Sequence, residues 1–283
     1  MSIIIFGGIG QLGQCINKVA ESQNIEGIIY LDEIEGNILD VELLENLFTK
    51  HKPSYVVNCA AYTAVDKAED DVDLARKINK TGAANLADAC VAHGSTLIHV
   101  STDFVFEGNL PKALSEEDEA TPIGMYGLTK LEGEQDIINK MSEFFILRTS
   151  WLYSEFANNF VKTMLRLGKE RPELGIIVDQ VGTPTYGVDL AACILHIITT
   201  QSKDYGLYNY SNEGAISWYD FAQAIFELGE VSVKVKPLKT SEYPTKAKRP
   251  AFSLMDKTKI KQVLGIEIPY WRDSLKVCMA ALA

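Results

Sequence analysis

The chain has 283 residues with 27 basic and 38 acidic side chains, a net charge of −11. Its 47% hydrophobic and 23% charged residues are those of an ordinary globular protein, long enough to bury a large core and to carry a second lobe. Such a charge repels a polyanion on average and disfavours nucleic acid as a partner, and no run of about 18 apolar residues offers a membrane span.

Ile3-Ile4-Ile5-Phe6 is a short continuous apolar run, as a buried parallel strand requires. It enters Gly7-Gly8-Ile9-Gly10-Gln11-Leu12-Gly13, a G-x-x-G-x-x-G loop that opens a helix over 11–22. Glycine there lets a pyrophosphate approach the backbone, and the helix N-terminus offers free N–H groups. Gly7, Gly10, Gln11, Leu12 and Gly13 are therefore the first cofactor candidates. The strand Gly27–Leu31 follows, and Asp32 stands at its end, where an acid meets the adenosine ribose of a dinucleotide. Glu33 and Glu35 lie close by and no arginine does, which favours NADH or dual use over strict NADPH. Asp40 and Val41 lie within reach of the adenine, although Asp40 is equally suited to cap the helix 41–50.

A third strand is expected at 55–58, one long helical stretch at 71–93 and a fourth strand at 96–100. The helix 127–141 and a fifth strand at 144–147 follow. Further on, the pattern suggests helices at 159–169, 188–199, 217–228 and 269–280, with strands at 175–178 and 231–235. This βαβ alternation predicts an α/β, Rossmann-type doubly wound parallel sheet with a small C-terminal substrate-binding lobe. Residues 1–150 would form the NAD(P)-binding domain, 175–200 would return to it, and 151–283 would be mainly the substrate lobe.

Tyr126 and Lys130 form Y-x-x-x-K, four residues apart and so on one face of a helix. An ammonium beside a phenol is expected to lower the phenol's pKa and make Tyr126 a usable proton donor to a carbonyl. Thr102, just after the fourth strand, places a hydroxyl for the same carbonyl oxygen. Glycine loop, hydroxyl and Y-x-x-x-K occur in the order one fold requires. Cys15, Cys59, Cys90, Cys193 and Cys278 show no C-x-x-C spacing, and they suit a reducing, cytoplasmic setting. His51, His93, His99 and His196 show no ligand spacing either and are taken as structural, so no metal is expected. The acidic run 115–119 is read as a solvated loop, whereas Lys246, Lys248 and Arg249 could meet a diphosphate.

The segments GGIGQLG (7–13), NCAAYTAVDKAE (58–69), STDFVF (101–106), YGLTKLEGE (126–134), RTSWLY (148–153), NNFVKTML (158–165) and DQVGTPT (179–185), with RP at 249–250, resemble the extended short-chain dehydrogenases/reductases. Within them they resemble the dTDP-4-dehydrorhamnose reductase family. The resemblance implies reduction of the 4-keto group of dTDP-4-dehydro-L-rhamnose by NADPH or NADH, supplying dTDP-L-rhamnose to cell-surface polysaccharide. It implies that Ala61, Tyr62 and Thr63 line the cofactor with Lys130 on its ribose. It also implies that Thr102, Asp103, Trp151, Asn159 and Arg249 face the sugar nucleotide. A homodimer is open on this reading. The sequence departs from the family in Phe104, where tyrosine is common, in GGIG for G-K-T-G, and in Cys15, where some members carry a metal-binding glutamate. Three alternatives stand beside this reading: a reductase or epimerase of another nucleotide-linked keto sugar with Asp103 as its extra acid, a non-catalytic subunit of the same fold, and, least favoured by charge, a nucleic-acid-binding Rossmann protein.

Overall fold

The strand residues alternate between two buried layers, as a period of two requires. Ile3 and Ile5 face one core, with Val57, Ile98, Phe145 and Leu147. Ile4 and Phe6 face the other, with Val56, Leu97 and Ile146. The computed structural model describes residues 1–283. In it β1 (Ile3–Phe6), α1 (Gln11–Ser22), β2 (Ile28–Leu31), α2 (Val41–His51) and β3 (Tyr55–Asn58) succeed one another. Then come α3 (Val65–Ala68), α4 (Val72–Arg76), a π-helical turn (Lys77–Gly82), α5 (Ala83–His93), β4 (Thr96–Thr102), α6 (Met125–Lys140) and β5 (Phe144–Thr149).

The second half holds β6 (Leu152–Tyr153), α7 (Phe160–Glu170), β7 (Glu173–Ile177), β8 (Val181–Gly182), β9 (Thr185–Tyr186) and α8 (Gly187–Thr199). It ends with β10 (Gly206–Asn209), β11 (Ile216–Ser217), α9 (Trp218–Leu228), β12 (Lys234–Leu238), α10 (Thr258–Leu264) and α11 (Trp271–Leu282). The central sheet is six-stranded and parallel, in the order β10-β5-β4-β3-β1-β2. Its order reverses between β1 and β3, and ligands of such folds lie outside the carboxyl ends of the strands at that point. One face is covered by α1 and α8, the other by α2, α5 and α6. A third core, built from α7, α9, α11 and the β7–β12 pair, forms the C-terminal lobe.

One expectation is corrected here. The range 175–200 does not return to the central layer as a unit: β7 pairs with β12 in the lobe, and only α8 packs against α1. Instead β10, not anticipated, closes the sheet beside β5. The stretch 71–93 is helical without a break from 72 to 93, ended by Gly94, but it carries a π-helical turn at 77–82 that its sequence does not announce. The π-helical turn accommodates an extra residue and turns the Asn79 side chain inward, where it is 1% exposed.

Candidate active site

The glycine loop is shaped by contacts that leave no room for side chains. Gly7 has φ +71°, and a Cβ there would stand 2.8 Å from the Ala60 nitrogen. A Cβ on Gly13 would meet the Gly8 carbonyl oxygen at 2.2 Å, which brings α1 close under the loop. Gly10 is exposed and serves as N-cap with no side-chain hydrogen bond, and no acid stands in the first turn of α1. An uncapped helix start behind an open glycine fits a pyrophosphate. Leu12 is buried in the core, and the Gln11 side chain is turned away, donating to the Leu152 carbonyl at 3.2 Å.

At the end of β2, Asp32 Oδ1 accepts the N–H groups of Ile34 (2.8 Å) and Glu35 (2.7 Å). This turn orders the carboxylate at the end of β2. Asp40 caps α2 through the Leu43 N–H at 2.9 Å, and Val41 beside it is 64% exposed. Ala61, Tyr62 and Thr63 follow β3. Their backbone is anchored by Asn79, whose Oδ1 accepts the Tyr62 N–H (2.9 Å) and whose Nδ2 donates to Tyr62 O and Thr129 Oγ1. The residues present fit a dinucleotide: an uncapped helix start, an open Gly10 and an ordered acid at the next strand end.

Thr102 ends β4. Its hydroxyl donates to Asp103 Oδ1 at 3.1 Å and accepts the Phe104 N–H at 3.2 Å. Asp103 is 2% exposed, and its Oδ2 has no partner. Burial pushes this carboxyl up to about 6, against the hydrogen bonds that favour its charge. Tyr126 packs edge-on against Phe104 at 5.5 Å in the first turn of α6. That helix starts where it does because Glu69 accepts the Met125 N–H at 2.8 Å.

The expected lowering of Tyr126 by Lys130 is not found. Loss of solvent around the hydroxyl pushes Tyr126 up to about 12. Thr102 beside it acts in the opposite direction, without a hydrogen bond between the two hydroxyls, and the Asp103 charge adds to the rise. The Lys130 ammonium is engaged elsewhere, donating to the Val100 carbonyl at 2.7 Å and lying 3.2 Å from His99 Nε2.

Beside Asp103 opens a cavity of about 470 Å³ between the sheet and the C-terminal lobe, lined among others by Trp151, Phe160, Trp218, Gln180 and Arg249. Trp151 and Trp218 stack at 3.6 Å and 14°. Trp151 has φ +47°, a conformation that a bulky residue adopts only where its surroundings hold it. Arg249 lines this cavity while its guanidinium grips Asp66 through two bonds, 2.6 and 3.1 Å. Asn159 does not line the cavity. It caps α7, and its Nδ2 donates to Gln11 Oε1 (2.9 Å) and to the Ser154 carbonyl (2.7 Å), tying the glycine loop to the lobe.

The structure thus brings Asp103, Trp151 and Arg249 around one space, and Thr102, bonded to Asp103, and Tyr126, packed on Phe104, adjoin its lining without belonging to it. Sequence reasoning missed Trp218, Asn79, Glu69 and His99. The first could have been sought as an aromatic inside a Ser217–Asp220 capping box, directly after the N-cap; the other three act through contacts remote in sequence.

The sequence model of the RmlD substrate binding domain matches residues 1–283. A dTDP-4-dehydrorhamnose reductase of Aggregatibacter actinomycetemcomitans is 40% identical, over 97% of this chain and 97% of that protein. The crystal structure of a dTDP-4-dehydrorhamnose reductase from Clostridium acetobutylicum superposes with a TM-score of 0.95 at 43% identity, covering 100% of this chain and 99% of the other. That of Bacillus anthracis, solved in complex with NADP, also gives 0.95, at 37% identity over 99% and 100%. The chain belongs to the RmlD substrate binding domain family, that of the dTDP-4-dehydrorhamnose reductases.

Proposed function

We propose that this protein reduces the 4-keto group of a dTDP-linked 6-deoxy sugar, dTDP-4-dehydro-L-rhamnose, with NADPH or NADH. The observation that carries the reading is the placement of Asp103 at the wall of the cavity after β4, with Thr102 bonded to it and Tyr126, at the start of α6, packed on the neighbouring Phe104. The reduced nicotinamide supplies the hydride. The chain supplies the rest. Tyr126 holds its proton firmly and releases it to the sugar oxygen as that oxygen becomes an alkoxide, a far stronger base than a phenolate. A raised pKa therefore suits an acid in this direction.

Thr102 reorients its hydroxyl from Asp103 to the keto oxygen, and the unpartnered Asp103 Oδ2 accepts a sugar hydroxyl. Lys130 orients the ribose. Trp151 and Trp218 form an aromatic wall for the sugar or its base, and Arg249 meets the diphosphate. Asp32, with Glu33 and Glu35 and no arginine beside it, supports NADH or dual use over strict NADPH. No helix is long and apolar enough to cross a membrane. A cytoplasmic setting suits five free thiols, four of them buried.

The test is oxidation of NADH and NADPH in parallel by purified protein with dTDP-4-dehydro-L-rhamnose. Rapid oxidation with either supports the reading; cofactor binding without turnover contradicts it. A second reading, epimerisation, is favoured by Asp103 alone, a carboxyl poised near neutrality in the cavity. Solvent deuterium entering sugar carbons would support it.

A further inference from the structure

Behind Lys130 two buried polar side chains stand in line. Asn58 ends β3 and His99 lies opposite it on β4, register partners in the sheet. Asn58 is 2%, His99 1% and Lys130 1% exposed, so none can turn to water. The Asn58 amide lies 3.0 Å from His99 Nδ1, and His99 Nε2 lies 3.2 Å from Lys130 Nζ.

The direction of this chain follows from its far end. The Ala60 N–H donates to Asn58 Oδ1 at 3.0 Å. A backbone N–H can only donate, so the carbonyl end of the amide faces Ala60 and the NH₂ end faces His99. Nδ1 must then accept, and a neutral imidazole carries its one proton on Nε2. Burial and the nearby Lys130 charge hold His99 well below the ordinary histidine range, so the ring is neutral. Its Nε2–H points at Lys130. An amine can accept that proton, whereas an ammonium there sets two donors against each other.

We propose that His99 is a positioning residue for the reductive site: locked by Asn58 in the Nε2–H tautomer, it presents a donor to Lys130 and lowers the pH above which Lys130 loses its charge. This rests on Lys130 belonging to that site. The other groups facing Lys130 are the Val100 carbonyl, which accepts from it at 2.7 Å and favours its charged form, Glu134, one turn on and paired with Arg148 of β5, Cys59 after β3, and Tyr126 one turn before. Burial, the largest influence, brings Lys130 down to about 8, with Glu134 and Cys59 opposing. Cys59 is itself pushed up to about 12 by burial, so its thiol is neutral and exerts little pull.

The proposal is tested first without turnover. The chain has 4 histidines, so long-range proton–nitrogen NMR spectra of ¹⁵N-histidine protein, with and without NADPH, resolve each ring. His99 is expected as the Nε2–H tautomer and unchanged from about pH 5 to about pH 9. An Nδ1–H tautomer, or titration near the ordinary value of about 6.5, overturns the proposal. The second test is the pH profile of kcat/KM in the wild type, His99→Gln and Asn58→Asp. Glutamine can turn its carbonyl to Lys130, and an aspartate accepts from His99 Nδ1 and frees Nε2 to accept.

With an alkaline limb near 8, wild-type kcat/KM falls about tenfold one unit above it. Both variants should move the limb up by about one unit, reducing that fall to about twofold. His99→Gln adds no charge, so a shift in both separates the hydrogen-bond direction from electrostatics. Unmoved limbs in variants with intact melting temperature and NADPH affinity overturn the proposal. If a variant does not fold, the wild-type tautomer decides. If the protein does not reduce the sugar, the tautomer is still readable, so the two failures are told apart.

Discussion

Arg249 and Asp66 join the two lobes across the mouth of the site: the guanidinium of one grips both carboxylate oxygens of the other, at 3.1 and 2.6 Å, across 183 residues of sequence. The Ala247 N–H adds a bond to the same carboxylate at 3.0 Å. Asp66 lies on α3, shortly after the Ala61–Thr63 segment, so the cavity-lining Arg249 is anchored to the segment that follows β3. Arg249 holds the Asp66 carboxyl below its ordinary range. The pair is therefore intact above that range and is lost as pH falls through the lowered value.

Arg249→Ala should raise KM for the sugar nucleotide about tenfold or more, since a charge-assisted bond to the diphosphate is lost. Both partners are partly exposed, and the cost in folding stability should be at most about 1 kcal/mol. Steady-state kinetics beside chemical denaturation checks both. A large stability loss with unchanged KM would make the pair purely structural.

Trp218→Ala should raise KM for the sugar nucleotide by about tenfold while leaving the KM for NADPH within about twofold, because the stack lies wholly on the lobe side of the cavity. An equal change in both constants would show that the substitution disturbs the site as a whole.

Arg148 and Glu134 form the one ion pair whose two side chains are both under 5% exposed, at 2.6 Å. Removing either partner leaves a buried charge. Arg148→Met should cost about 3–5 kcal/mol in denaturant unfolding. A loss below about 1 kcal/mol would mean that water reaches the pair.

Asp103 gives the stability a defined pH slope. Its folded pKa, about 6, lies above the unfolded value of about 3.9, so the folded state binds the proton more tightly. Its contribution is full below the unfolded value and declines as pH rises through the folded one. Asp103→Asn should remove this decline between about pH 4 and about pH 6, as read from melting temperature against pH. An identical slope in the variant would place the titration elsewhere.

How much of this could be read in the sequence depended on range. The parallel strands, the glycine loop and the Tyr126–Lys130 spacing are local signals, each within a few residues, and the fold class follows from their order. Asp40 was legible both as cofactor candidate and as helix cap, and its bond to Leu43 shows the cap. The Asn79 anchor was hidden, because a π-helical turn within an alanine-rich helical stretch has no distinct periodicity. His99 was passed over because its partners, Asn58 and Lys130, come 41 residues before and 31 after it. The spacing of Tyr126 and Lys130 told that both stand at the start of one helix. It did not tell their ionisation, since burial of Tyr126 outweighs any help from the lysine.

The most direct measurement of the central claim is single-turnover reduction of dTDP-4-dehydro-L-rhamnose by Tyr126→Phe, with NADPH affinity determined on the same preparation. The account predicts a rate lower by about 10²–10⁴, the worth of a positioned general acid, with cofactor affinity unchanged. Turnover within about threefold of wild type would remove Tyr126 from the chemistry and contradict the account.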